Sequence, residues 1–122
     1  MNLRHLSDLE LDLATQNAAA NERNATVEVL WHLREIERRM FYAQLGFKDL
    51  KAYCVQKLKF SESSAWRRIS AMRLLKDIPE AEEKLQTGQL NLTQASQAQM
   101  FFRQVPSSPE QKREILKQVQ HP

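Results

Sequence analysis

Apolar residues recur at spacings of three and four through most of this 122-residue chain, and nowhere alternate long enough to predict a strand. Ser7-Asp8-Leu9-Glu10 has the form of a capping box, in which a serine accepts from the third helical N–H and a glutamate reaches back. It predicts a first helix from about Asp8 to Ala19, with Leu9 and Leu13 on one face. Gln16 to Asn21 reads equally as helix or break. A long second helix is expected from about Glu22 to Leu45, its stripe formed by Val27, Leu30, Leu33, Ile36, Met40 and Phe41. Glu35 and Arg39 stand one turn apart and can pair, and Gly46 follows as a left-handed C-cap.

The pattern then tightens. Leu50, Tyr53, Cys54 and Leu58 give the inward face of a helix over 49–58, Phe60 plugs a corner, and Ser61 is the N-cap of the next helix. That helix, Glu62 to about Lys76, should bury Ala65, Ile69, Met72 and the stem of Lys76. At 100° per residue Ser63, Arg67, Ser70 and Leu74 point the opposite way, with Trp66 and Arg73 on a flank. Ile78-Pro79 stops it, and Pro79 is expected as the first residue of a short helix to about Gln86, closed by Thr87-Gly88. Asn91 or Thr93 caps a further helix to about Arg103, carrying Ala95, Ala98, Met100 and Phe102. After the Val105–Ser108 loop, Ser108-Pro109-Glu110-Gln111 opens a last helix over 109–120 with Ile115, Leu116 and Val119 as a sticky face. The expectation is an all-α fold: one compact domain over 1–122 of about six to seven helices, with a central helix-turn-helix at 49–76. The last helix could also begin a C-terminal region lost from this chain.

Composition narrows the function classes. Two glycines, 7% aromatics and abundant Leu, Ala, Gln, Glu, Lys and Arg suit helices. No run approaches the roughly 18 apolar residues of a membrane span, and Met1 to Asp8 lacks the apolar core of a signal peptide. One cysteine forms no intramolecular disulfide and suits a reducing cytoplasm. The expected location is therefore cytoplasmic, at the nucleoid if the chain binds DNA.

Charge carries the functional expectation. The net charge of +3 is ordinary, but residues 48–76 hold eight basic side chains against two acids, leaving ten basic and thirteen acidic residues elsewhere. The positive excess thus sits on two helices joined by a short corner, where DNA-binding helix-turn-helix units place a recognition helix, here about 62–76, in the major groove. Lys57 and Lys59 flank the corner as phosphate anchors. Ser63, Ser64 and Ser70 offer hydroxyls, and Trp66 is a packing residue or a stacking surface. Arg67 is placed for a bidentate guanine contact, Arg68 for phosphate or an internal partner, and Arg73 lies beside them. Each has a plainer reading as a solvated or packing side chain. Cys54 reads as a core residue without a thiolate-stabilising partner, His32 as a boundary residue, and Glu80 to Glu83 as a solvated helix start.

A resemblance adds to this. Leu30-Trp31-His32-Leu33-Arg34-Glu35-Ile36-Glu37-Arg38-Arg39, Gly46-Phe47, Tyr53-Cys54, Ser61-Glu62, Ala65-Trp66-Arg67-Arg68-Ile69, Leu74-Leu75, Pro79-Glu80 and Gly88-Gln89-Leu90-Asn91-Leu92 together resemble the N-terminal helical region of bacterial HNH-endonuclease-like proteins. The likeness covers roughly residues 5 to 105. Ser61 to Ala98 is also similar in layout to the DNA-binding helices of ParB-type partition proteins. In the larger family a metal-dependent HNH module follows this region. Here His5, His32 and His121 are scattered and no His-Asn-His or Cys-x-x-Cys spacing occurs. The chain as given is therefore expected to be non-catalytic, either a DNA-targeting half without its nuclease or a short relative that only binds. Double-stranded DNA is the expected partner, with no metal, no cofactor, no small-molecule substrate and no membrane. The rival class is a protein-interaction or homodimerisation module, docking through the long Glu22–Leu45 helix and the Ile115–Val119 face.

Overall fold

A computed structural model describes residues 1–119, and everything described there is helical or connecting loop. The elements are α1 (Asp8–Arg39), α2 (Phe41–Gln44), α3 (Leu50–Gln56), α4 (Glu62–Asp77), α5 (Ala81–Thr87), α6 (Leu92–Gln104) and α7 (Pro109–Gln118). The expected helix over 109–120 is thus present to Gln118, and Gln120 lies outside the described residues.

The starts of these helices are set by local chemistry. Ser7, Asn91 and Ser108 each accept from the third helical N–H, while Glu10, Gln94 and Gln111 reach back to the cap N–H. Pro109 occupies the first position of α7. Pro79 does not do so for α5: Pro79 and Glu80 form a turn, and the helix begins at Ala81. Gly88 ends α5 with φ 83°.

The two expected N-terminal helices are one. Gln16 to Asn21 contains neither glycine nor proline, so nothing stops propagation and α1 runs 32 residues, about 48 Å at 1.5 Å each. It ends at Met40, before the expected Leu45. Met40 takes a left-handed conformation (φ 52°) and returns its N–H to Glu37 and Ile36. The turn lets Tyr42 pack against the core while leaving Met40 and Phe41 exposed, so those two are not part of the buried stripe. Gly46 does adopt the left-handed form (φ 91°), after the short α2. In the last turns of α1, Glu35 meets Arg38 and, at 2.6 Å, Arg39; their hydrogen bonds pull its carboxyl down to about 2.

The body is built around α4. It makes its most extensive contact with α6, and also meets α1, α3 and α5. Small residues on both helices (Ala71, Ala95, Ala98, Ser70, Ser96) let α4 and α6 pack closely. Of the α1 stripe, Val27, Leu30 and Leu33 enter the core, and Leu50, Cys54, Ile78, Leu85, Leu90, Phe102 and Leu116 complete it. The N-terminal part of α1 takes no share: every residue from Ser7 to Ala19 is exposed, Leu9 by 68% and Leu13 by 53%. It stands clear of the body as an arm.

Candidate nucleic-acid interface

The corner between α3 and α4 is held by its own backbone. Asp49 caps α3 by accepting from Ala52 N at 2.8 Å. Beyond Gln56 the chain passes through Lys57 and Leu58 to Lys59, whose φ of 68° is left-handed, and Phe60 N returns to Cys54 O at 3.1 Å. Lys59 thus occupies a conformation that costs a non-glycine residue roughly 1–2 kcal/mol, and it gives the corner its reversal. Ser61 then caps α4, accepting from Ser64 N at 3.1 Å. Phe60 is half-buried against the core and lies beneath the Arg68 guanidinium, 4.5 Å from ring centre to carbon.

This geometry sorts the expected contact residues. Lys57, Lys59 and Ser63 are exposed, and Ser64, Trp66 and Arg67 are half-exposed around the first two turns of α4. Glu62, also exposed, stands at the tip. These side chains form one surface. Trp66 also packs against the core, consistent with its plainer reading.

Other positions on α4 are placed differently. Ser70 is only 2% exposed and Leu74 fully buried, so the side of α4 expected to face outward does so for two turns and is then covered. The 100° rule assumes a helix with one buried face, whereas α4 is packed from several directions. Ser70 is therefore removed from the candidate contacts. Lys76, expected to lay its stem on the core, is exposed instead. Arg73 reaches back to α1 and pairs with Glu37 at 3.0 Å, in a partly buried ion pair. Arg68 takes the internal option: its guanidinium bonds Ser64 and stacks on Phe60. Burial, with Arg67 close by, pushes its pKa down.

Cys54 is fully buried, and burial pushes its thiol up to about 11 against a smaller opposing pull from Arg68. It stays protonated in the core, as its surroundings in the sequence imply. Leu58, expected inward, is exposed by 37%. His32 is exposed and contacts Glu28 O. Among the described residues no three His, Cys, Asp or Glu side chains are grouped to hold a metal ion, and no helix is long and apolar enough to cross a membrane.

One basic residue escaped the sequence reading. Arg23, on α1, donates from Nε to Gln86 O at 2.9 Å and lies alongside Gly88, beside the same face of α4 as Arg68. Nothing local marks it, because its partners lie more than sixty positions away.

Among known proteins, a family model described as Domain of unknown function (DUF222) matches residues 11–116. In bacteria such a domain typically precedes HNH endonuclease domains. No curated protein and no solved structure matches the chain, so the layout likeness to partition proteins gains no support from these comparisons.

Proposed function

The chain belongs to the DUF222 family, and from that premise we propose that it binds double-stranded DNA through the α3–α4 corner. The observation that carries this reading is the exposed basic rim around a capped helix start. Lys57 and Lys59 stand on the corner, and Ser63 and Arg67 on the first two turns of α4. Helix-turn-helix proteins use the N-terminal residues of the second helix for base edges and the surroundings for phosphates. Insertion is limited to Glu62–Arg67, because later turns of α4 are enclosed. Arg67 would fork onto guanine O6 and N7, and Glu62, which only accepts hydrogen bonds, suits a cytosine amino group. Such a domain supplies binding and no bond-breaking chemistry, a role that fits a position ahead of HNH endonuclease domains.

Fluorescence anisotropy of a labelled mixed-sequence duplex across a salt series tests this. Three to five phosphate contacts predict a log–log salt slope of about −2.7 to −4.5, at roughly 0.9 per contact. Absence of binding at 50 mM salt or below would remove the reading.

A second reading, self-association, is favoured by the exposed arm. Leu9 and Leu13, four residues apart, extend the α1 line that is buried further on at Val27 and Leu30. A second copy of the arm would complete that stripe as helices do in coiled coils. Light scattering should then give twice 14.3 kDa, falling to the monomer value in Leu9→Lys/Leu13→Lys. A wild-type monomer at 100 μM would end it.

A further inference from the structure

Four of the arginines sit beside carboxylates: Arg38 and Arg39 with Glu35, Arg73 with Glu37, and Arg113 with Glu80. Arg23 and Arg68 are among the six that do not. Neither has a carboxylate within 4 Å among the described residues, yet both are partly buried and both line one cleft of about 250 Å³ between α1, the start of α4 and the α5–α6 turn. Two guanidinium groups lining one recess, neither beside a carboxylate, give it a positive potential that an anion would offset.

From this pair we infer that the cleft is a binding site for a phosphoryl group. Both guanidiniums are held in place before any ligand arrives. Arg23 is anchored by its Nε–H to Gln86 O and lies against Gly88, where a Cβ would sit 3.7 Å from its Cδ and Nε. Arg68 is anchored by Ser64 and by the Phe60 ring. A guanidinium carries five N–H donors, so each keeps most of its fork for a tetrahedral oxyanion, which two forks can grip bidentately. Pre-anchoring also lowers the ordering cost that an arginine clamp otherwise carries. Thr26 adds a hydroxyl to the lining, and the opening turn of α6 at Asn91-Leu92 forms the far wall. The Asn91–Gln94 box already satisfies the N–H groups of both box residues, so that wall contributes polarity while the arginines supply the charge. Glu22, exposed at the rim, is the single carboxylate of the lining and works against an anion.

The group bound is either a phosphodiester of DNA, since Ser64 and the start of α4 adjoin the cleft, or a free phosphate or nucleotide. The site follows from the arginine pair and does not depend on the corner binding DNA. The test is ¹H–¹⁵N NMR of the full chain titrated with inorganic pyrophosphate, and separately with a duplex. Pyrophosphate is expected to shift the amides of Gly88 and Leu92 and the Arg23 Nε–H in saturable fashion. Arg23→Gln should weaken binding at least tenfold, and Glu22→Gln should tighten it. Arg68→Gln is expected to do as Arg23→Gln does; because it also loses the Phe60 contact, its melting curve is recorded alongside. A duplex that saturates the same amides and blocks pyrophosphate identifies the backbone as the source. A duplex that binds without touching them, or fails to bind, identifies a free phosphate ligand. Overturning results are no amide shift with 20 mM pyrophosphate, or shifts that survive in Arg23→Gln.

Discussion

Leu74→Ala is expected to lower the unfolding free energy by about 2–5 kcal/mol, the usual range for truncating a buried leucine. Leu74 is fully buried on α4, the helix around which the others are arranged, so the space left by its side chain has little means of collapsing. For a domain whose whole stability is on the order of 5–15 kcal/mol, that is a melting-temperature drop of roughly 10 °C or more. Lys76→Ala, two residues further along the same helix and exposed, should stay within about 0.5 kcal/mol. The pair discriminates between two packings of α4. A helix with one buried face through Ala65, Ile69 and Met72 would make Leu74 the tolerant position and Lys76 the sensitive one. Urea melts in which Leu74→Ala loses less than about 1 kcal/mol would contradict the enclosed arrangement.

That contrast shows where the chain is legible from its residues. Helix starts are: Ser7 with Glu10, Ser61, Asn91 and Ser108 with Pro109 act through atoms three residues away, so their effect is written in consecutive letters. Which side of a helix is buried is legible when one face is apolar and the other polar, as for Val27, Leu30 and Leu33 on α1. It fails for α4, where serine and alanine sit on the packed side because neighbouring helices come too close for anything larger. The ending of α1 at Met40 is another failure. The left-handed residue there is a methionine, a poor candidate by intrinsic preference, and the reversal sets Tyr42 against the core, a demand visible only in three dimensions. The arm is the reverse case, a leucine-bearing helical face whose spacing looks like a core stripe although the body never reaches it.

The candidate interface divides along the same line. The charge concentration between Lys48 and Lys76 is a property of the sequence alone, as are the corner and its Ser61 cap. Which arginines remain free is not. Arg73 is taken up by Glu37, thirty-six residues earlier, and Arg68 is drawn against Phe60 and Ser64 to line the cleft beside Arg23, whereas Arg67 stays half-exposed and without a carboxylate partner among the described residues. A row of like charges in a sequence therefore overstates the charge available at the corner, and the overstatement is resolved by contacts that Arg73 makes with α1 and Arg68 with Phe60 and Ser64.

Replacing Lys57, Lys59 and Arg67 together by glutamine is accordingly expected to abolish most DNA affinity while leaving the fold in place. Lys57 and Lys59 are exposed and Arg67 half-exposed, and none of the three makes an ion pair or side-chain hydrogen bond among the described residues, so the melt should move little. Each lost phosphate contact lowers the log–log salt slope by about 0.9, or about 1.8 for the two lysines. If Arg67 reads a base, its loss alone removes about 1–3 kcal/mol of discrimination, so the combined affinity should fall by more than about tenfold. Arg73→Gln serves as the opposite control: breaking its pair with Glu37 should cost stability and leave the salt slope unchanged. Lys59→Gly separates the two effects within one residue. Glycine adopts the left-handed φ of 68° without a Cβ clash, so the corner should gain about 0.5–1 kcal/mol, while one cationic contact with DNA is lost. Rising stability with falling affinity at Lys59 ties the loss to the side chain and not to the corner's shape. An unchanged slope in the triple variant would place any DNA binding elsewhere on the surface.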